Sequence, residues 1–242
     1  MEVLQSSYHL LPTKEGVYLF LDENGDVIYV GKAKNLRKRV SSYFLNKDLG
    51  VKTQVLVSQI KKIKTVTVDS ELESLLLEAN LIKKYNPKYN ARLTDGKSYI
   101  RARITTGDKI PKVLFARLLD EKNSIYFGPF PSSTDLKLVL KIIRKIFPYQ
   151  SVENHPKKYC LYFHLGLCPC PPMFKTSDEL KEYKKNIRHI LQFFKGETKK
   201  IIKELEKERD EKSKDEQFEK ALAVQQKIDA IVAITQARRS PF

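Results

Sequence analysis

The chain has 242 residues, enough for one large domain or two small ones with a buried core. Its 45 Lys and Arg outnumber its 29 Asp and Glu, and the resulting formal charge of +16 favours a polyanionic partner, most often nucleic acid, over a merely soluble basic protein. No apolar run approaches the ~20 residues of a membrane span, and the first residues lack a secretory pattern, so we expect a cytoplasmic protein without a membrane partner.

The first predicted elements are the two strands of a β-hairpin. Residues 16–32 read GVYLFLDENGDVIYVGK, and Asn24-Gly25 is a tight-turn signal between two apolar runs. Each run carries a tyrosine two positions from a glycine, Tyr18 in the first and Tyr29 in the second. The chain then continues through residues 32–39, which are rich in Lys and Arg and contain no acid.

Helices and one strand are predicted to follow the hairpin. Asn35 can cap a helix, and the sequence Ser-Glu-Leu-Glu from Ser70 has the spacing of a capping box. The predicted elements are a helix over 35–44, a helix over 51–63, a strand over 65–68, and a helix over 70–85 that stops before Asn86-Pro87. This order predicts a compact α/β unit.

The pattern changes in the second half of the chain. The predicted elements are short strands between 98 and 127, a helix from Ser132 or Ser133 to about 147, an irregular Pro- and Cys-rich stretch over 148–175, and helices from about 177 with a break at Gly196. The densely charged segment 203–216 is typical of a solvated helix face or of a turn between helices.

The helix over 70–85 carries a candidate catalytic acid. Glu78 lies three positions after Leu75 and four before Ile82, which belong to an apolar stripe, so its carboxylate should lie on or beside the buried face. A buried acid is costly unless it is paired or binds a metal. Glu78 is therefore either the partner of one of the many lysines or a metal ligand.

Two tyrosines and an arginine accompany this acid. Tyr18 and Tyr29 are on adjacent strands, and Arg39 and Tyr43 are four positions apart on the first helix, so each pair can share a face. Tyrosine in a strand ordinarily serves packing alone. Together with Glu78 and a lysine, however, these groups fit phosphodiester hydrolysis, in which a metal polarises the phosphate while cations absorb the developing charge.

These motifs resemble a known family. Gly16-Val17-Tyr18 and Tyr29-Val30-Gly31 resemble the signature triplets of the GIY-YIG nucleases. Four blocks are similar to the N-terminal half of the UvrC family, the incision subunit of bacterial nucleotide excision repair: LPTKEGVY, YVGKAKNLRKRVSSYF, LLLEANLIKKYNPKYNARL and SIYFGPFPSS.

The resemblance implies a fold of mixed α/β class. A GIY-YIG α/β sandwich with a small antiparallel sheet would be followed by a second small α+β region and a C-terminal helical hairpin. The implied boundaries are a nuclease domain over 10–95, a strand-rich extension with a helix over 96–150, a Cys- and Pro-rich loop over 151–175, and a helical region over 176–242.

The resemblance also implies catalytic roles. Tyr29 would be the general base or its proton relay, Glu78 the sole protein ligand of one Mg²⁺ or Mn²⁺ ion, and Arg39 the cation that stabilises the transition state. Four residues would position the phosphate or water or close the site: Tyr18, Lys32, Tyr43 and Asn90. Three residues of the basic segment would contact DNA: Lys34, Arg37 and Lys38.

The last helices resemble the UVR motif, the helical hairpin through which UvrC pairs with UvrB. The similarity spans about 203–237, and the matched residues expected to bind the partner are Phe218, Glu219, Ala221 and Ile228. Gln226-Lys227 replaces the Arg-Asp pair usual before the isoleucine, so a generic helical hairpin remains the alternative.

The function implied is that of a metal-dependent DNA endonuclease in excision repair. It would hydrolyse a phosphodiester 3′ to a lesion in damaged double-stranded DNA, in concert with UvrB and indirectly with UvrA. The family's second, ribonuclease-H-like nuclease and helix-hairpin-helix region have no match here, so only one of the two incisions is expected. The alternatives are a non-catalytic adaptor that binds DNA and UvrB, and a GIY-YIG nuclease outside excision repair.

Three cysteines lie close together in the irregular stretch. Cys160, Cys168 and Cys170 suit a reduced compartment and a local site. Fuller members of the family carry four cysteines around a [4Fe–4S] cluster, but Val152 stands at the first of those positions and Pro172 at the last. A cubane generally needs four ligands, so we expect no [4Fe–4S] cluster.

A histidine could complete a different set of ligands. His155 or His164 would give a zinc-type Cys₃His set, although the spacing Cys168-Pro-Cys170 is tighter than is usual for zinc ligands. The alternative is three free thiols in a loop packed by its prolines.

Overall fold

The computed structural model describes residues 2–46, 48–93, 99–119 and 122–235. It contains two compact units, one holding residues up to 99 together with 128–132, the other holding residues 100–127 and 133–235. Among the described residues, none of the helices combines the length and the apolar character that crossing a membrane requires.

In its described residues, the first unit contains four strands and four α-helices, with a 3₁₀ helix at Gln5–Leu10. The elements in chain order are β1 Glu2–Leu4, β2 Gly16–Leu21, β3 Val27–Ala33, α1 Leu36–Leu45, α2 Val51–Gln59, β4 Lys62–Thr67, α3 Glu71–Tyr85 and α4 Lys88–Leu93.

The strands form one antiparallel sheet in the order β1-β4-β2-β3, so β3 is an edge strand. The predicted hairpin is confirmed by the β2–β3 pairing, in which Phe20 lies opposite Tyr29. Tyr18 and Phe20 face a core shared with α1, while Val17 and Leu19 face a second core that includes α3. Both faces of the sheet are therefore covered.

The hairpin connection is longer than the expected tight turn at Asn24-Gly25. The pairing shifts between Phe20 and Leu21, and five residues, 22–26, connect the strands. The Asp22 carboxylate accepts hydrogen bonds from the backbone N–H groups of Asn24 and Asp26, both at 3.0 Å. An aspartate that bonds its own turn stabilises the larger loop.

The predicted helix starts are confirmed. Asn35 accepts a hydrogen bond from the backbone N–H of Lys38 at 2.9 Å, and Ser70 accepts one from the backbone N–H of Glu73 at 3.2 Å. These caps satisfy donors that have no partner within the first turn. They set the starts of α1 and α3, which carry candidate site residues.

The boundary between α2 and β4 differs from the expectation. The helix predicted to reach residue 63 ends at Gln59, and the strand predicted from residue 65 begins at Lys62. Lys61 donates its backbone N–H to the Leu21 carbonyl at 2.8 Å, and Ile63 is buried. Pairing with β2 therefore makes β4 begin earlier than predicted, and α2 ends one turn earlier.

After residue 99, the described residues form a three-stranded sheet and five α-helices, with a 3₁₀ turn at Pro171–Met173. The elements are β5 Ile100–Ile104, β6 Val113–Ala116, β7 Ile125–Phe130, α5 Ser133–Ile146, α6 Leu161–His164, α7 Ser177–Phe194, α8 Thr198–Lys214 and α9 Phe218–Thr235. The mixed α/β class is confirmed.

One detail of this region was not predicted: the irregular stretch contains the short helix α6. A second helix break follows Lys214, at the end of the charged segment for which a turn between helices was one of the two interpretations. At this break Glu216 adopts the left-handed backbone with φ of 58°, which ends α8 and lets α9 fold back against it.

Candidate active site

Three tyrosines and an arginine converge on one face of the first sheet. The hydroxyls of Tyr18 on β2 and Tyr43 on α1 are 2.9 Å apart, and Arg39 Nη2 is 3.4 Å from the Tyr43 hydroxyl. The ring centroid of Tyr29, on β3, lies 6.1 Å from that of Tyr18 and 6.3 Å from that of Tyr43. The hairpin and α1 thus bring together side chains that are up to 25 positions apart.

The two glycines of the signature triplets allow this arrangement sterically. A Cβ atom at Gly31 would lie 2.5 Å from the Tyr18 hydroxyl oxygen, and one at Gly16 would lie 2.2 Å from the backbone carbonyl oxygen of Val66. Neither distance is compatible with a side chain. Gly31 therefore lets the Tyr18 ring approach the backbone closely, and Gly16 lets strand β4 do so.

The free edge of β3 is held by side chains from α3 and α4. Glu78 Oε1 accepts the backbone N–H of Lys32 at 3.0 Å. Asn90 accepts the backbone N–H of Val30 and donates to its carbonyl, both at 2.8 Å. Asn90 thus forms the two hydrogen bonds that a neighbouring strand would form with Val30, the residue directly after Tyr29. These bonds fix the backbone that carries the Tyr29 side chain.

Glu78 is the buried acid of this site, with 6% of its surface exposed. It lies on α3, as the stripe predicts, and the hydrogen bond to the backbone of Lys32 fixes its carboxylate at the sheet edge. A carboxylate in a desolvated position supplies the hard oxygen ligand that Mg²⁺ prefers. The geometry therefore fits the metal-ligand interpretation of this residue.

The environment disfavours the phenolate form of two of these residues, Tyr18 and Tyr29. Burial raises the pKa of Tyr29 above its ordinary value, and the neighbouring Tyr43 and the carboxylate of Glu78 raise it further. Burial also raises the pKa of Tyr18, which is 1% exposed. Tyr29 is only partly buried and therefore has the better access to a substrate.

The predicted DNA-contacting residues lie at and beyond the end of β3. Lys34 and Lys38 are exposed, and Lys34 Nζ is 3.5 Å from a carboxylate oxygen of Glu71. Arg37 donates its Nε–H to the Leu11 carbonyl at 2.7 Å, so this arginine also anchors the start of α1.

The predicted partner-binding residues divide between the two sides of α9. Ala221 and Ile228 are buried where α9 packs on α8, whereas Phe218 is 66% exposed and Glu219 is exposed. Leu222, 60% exposed and one helical turn after Phe218, extends this apolar surface. Leu222 was not among the predicted residues, although its spacing of four from Phe218 indicates that the two side chains share a helix face.

Two family models match the chain. Residues 14–91 match the UvrC-like GIY-YIG domain, and residues 99–193 match the middle domain of the UvrC/Cho excinuclease. The first match contains every proposed residue of the catalytic site, and the second includes the three cysteines.

Curated relatives are similar over almost the whole chain. Identity to the UvrABC system protein C of Caldanaerobacter subterraneus subsp. tengcongensis is 37% over 243 residues, covering 98% of this chain and 39% of that protein. Identity to the protein of the same name from Mycoplasma mycoides subsp. mycoides is 42% over 232 residues, covering 96% and 39%. The chain thus spans about two fifths of the length of these relatives.

A solved structure is also similar in sequence. It is the GIY-YIG N-terminal endonuclease domain of UvrC from Thermotoga maritima, bound to its catalytic divalent cation, magnesium. Identity is 40%, and the match covers 35% of this chain and 92% of that one with a TM-score of 0.32.

Proposed function

Because the chain belongs to the UvrC family, we propose that it is a metal-dependent DNA endonuclease of bacterial nucleotide excision repair, working in the cytoplasm. The observation that carries the proposal is that Tyr29 interacts electrostatically with both Arg39 and Glu78, and that the Glu78 carboxylate is fixed at the edge of β3. These residues come from three elements and combine a phenol, a guanidinium and a buried carboxylate. This set fits phosphodiester hydrolysis, in which a metal polarises the phosphate and a cation absorbs the developing charge.

Glu78 would hold one Mg²⁺ or Mn²⁺ ion, with water and phosphate oxygens completing the coordination. When bound, the ion supplies a Lewis acid that polarises the phosphate. The hydrogen bond from Lys32 orients the carboxylate before substrate arrives. The side chains of Tyr18 and Tyr43, linked by their hydroxyls, would orient the phosphate or the attacking water.

Tyr29 would take the proton of the attacking water, directly or as a relay. Burial disfavours its phenolate, so proton transfer requires positive charge nearby. Arg39, on α1, lowers the pKa of Tyr29, in opposition to the effect of burial. The same guanidinium would then stabilise the charge that develops on the phosphate.

The substrate would be a duplex bearing a lesion, cut on its 3′ side after UvrA and UvrB have recognised the damage. A 5′-labelled duplex with one bulky lesion, incubated with the chain, UvrA, UvrB, ATP and Mg²⁺, should yield one fragment that ends 3′ to the lesion. Omission of UvrB or addition of EDTA should abolish this fragment. Binding without incision would favour the adaptor, and UvrB-independent cutting of undamaged DNA would favour a nuclease outside repair.

Lys34 and Lys38 are proposed to contact phosphates. Replacing both with alanine should weaken DNA binding and reduce the slope of log K against log salt by about two, roughly one for each lysine. Fluorescence anisotropy of a labelled duplex at several salt concentrations measures this slope.

The matched control for that variant is Lys62→Ala with Lys64→Ala, which removes the same charge. These lysines lie opposite Leu21 and Leu19 on the sheet face away from Tyr18. The control should change the slope less than the first variant. Equal slopes in the two variants would contradict the proposed DNA-binding face.

The exposed apolar side of α9 is proposed to bind UvrB. Replacing Phe218 and Leu222 with serine should weaken UvrB binding at least about 30-fold, the effect of losing one strong interface residue. Ala221 and Ile228 still pack the hairpin, so the circular dichroism spectrum should be retained. Leu138→Ser, the same type of change at an exposed site on α5, is the control, and unchanged affinity in the double variant would refute the surface.

A further inference from the structure

Three thiols and one imidazole converge in the second unit, between α5 and α7. The Sγ atoms of Cys160 and Cys170 are 3.4 Å apart, and His155 Nε2 lies 3.4 Å from Cys170 Sγ and 3.7 Å from Cys168 Sγ. All four potential ligand atoms lie within 4.8 Å of one another. Cys168 and Cys170 are buried, while His155 and Cys160 are half-buried.

These distances fit a single tetrahedral ion. Zinc–sulfur bonds of about 2.3 Å and zinc–nitrogen bonds of about 2.0 Å place tetrahedral ligand atoms roughly 3.5–3.8 Å apart. In a [4Fe–4S] cube each thiolate binds a different iron, so the ligands surround a much larger group. The cluster of the fuller family members therefore does not fit these residues, which lie too close together and include only three thiols.

The backbone accommodates the tight Cys168-Pro-Cys170 spacing. Cys170 has a left-handed backbone with φ of 49°, which turns its side chain back toward the other ligands. Its N–H lies 3.4 Å from Cys168 Sγ, and the N–H of Cys160 lies 3.4 Å from Cys170 Sγ. Such donors stabilise thiolate charge and are available before a metal binds.

The imidazole is likewise oriented for binding. His155 Nδ1 lies 2.7 Å from the Pro156 carbonyl oxygen, which can only accept a hydrogen bond, so Nδ1 carries the proton. In the neutral ring, the lone pair is then on Nε2, the atom that faces the sulfurs. A backbone carbonyl on the opposite ring nitrogen is the usual support for a metal-binding histidine.

We propose that His155, Cys160, Cys168 and Cys170 form a structural Zn²⁺ site in this chain. Three thiolates and one imidazole complete a tetrahedral shell and leave no position for substrate, so the site holds the loop rather than catalysing a reaction. The thiols bind as thiolates and release their protons to solvent on metal uptake.

Elemental analysis of the full chain, purified under reducing conditions and titrated with zinc, tests the proposal. About one zinc per chain is expected. His155→Ala and Cys160→Ser should each weaken zinc binding about 100-fold or more. This exceeds the loss of affinity expected from changing a residue that only hydrogen-bonds to a ligand. His164→Ala is the matched control, because His164 is exposed and does not belong to the cluster.

Cobalt titration gives a second readout that does not depend on activity. Co²⁺ added to the metal-free chain should give the intense visible bands of tetrahedral thiolate coordination, retained in His164→Ala and altered in His155→Ala. A reduced wild-type chain that takes up neither ion would overturn the proposal. So would bound iron with acid-labile sulfide, or equal zinc affinity in the two histidine variants.

Discussion

Replacing Glu78 with glutamine should lower Mg²⁺-dependent nicking on the order of 1000-fold, because a Lewis acid contributes several kcal/mol to transition-state stabilisation and each 1.36 kcal/mol is tenfold in rate. The amide keeps the size of the side chain and an oxygen that can accept the Lys32 N–H. The fold should therefore survive, and the loss should be one of metal binding.

The measurement is the rate of incision of the lesion-bearing duplex across a range of Mg²⁺ concentrations, with circular dichroism as the check on folding. Glu71→Gln is the matched control, because this acid lies on the same helix, is more exposed and pairs with Lys34. It should incise at close to the normal rate. Incision by Glu78→Gln at that same rate would rule out Glu78 as the only protein ligand.

Replacing Tyr29 with phenylalanine should lower the incision rate by about 10²–10⁴-fold, the usual contribution of a positioned general base. The change removes one oxygen and leaves the ring, which packs against the rings of Phe20 and Tyr43. Mg²⁺ and DNA binding should persist, since Glu78 and the basic segment are intact. The defect should therefore be in the catalytic rate and not in the affinity for DNA.

Single-turnover incision at saturating DNA separates these quantities. Tyr8→Phe is a suitable control. Tyr8 stacks on Phe44, which lies on α1 beside Tyr43, but Tyr8 is not among the proposed catalytic residues. If Tyr29→Phe incised as fast as this control while Glu78→Gln was inactive, the base would have to be another group. In that case Tyr29 would serve packing alone.

The local elements were largely predictable because their causes are local. The hairpin, the caps at Asn35 and Ser70, and the helix Ser133–Ile146 each depend on side chains within a few positions. The error at the boundary between α2 and β4 arose because a distant strand decided the outcome. The end of α2 depends on Leu21, almost forty positions away, whose carbonyl binds the N–H of Lys61.

The same division applies to the site and to the cysteine loop. The sequence alone determined the chemistry available: the tyrosines, the arginine, the acid on a buried stripe, the basic segment and a local group of thiols. Only the tertiary structure decided that Glu78 and Asn90 secure one edge of β3, and that His155 rather than His164 joins the cysteines. The reason is physical. Residue types and helical spacing follow from the chain itself, whereas distances between side chains on different elements depend on how the backbone packs.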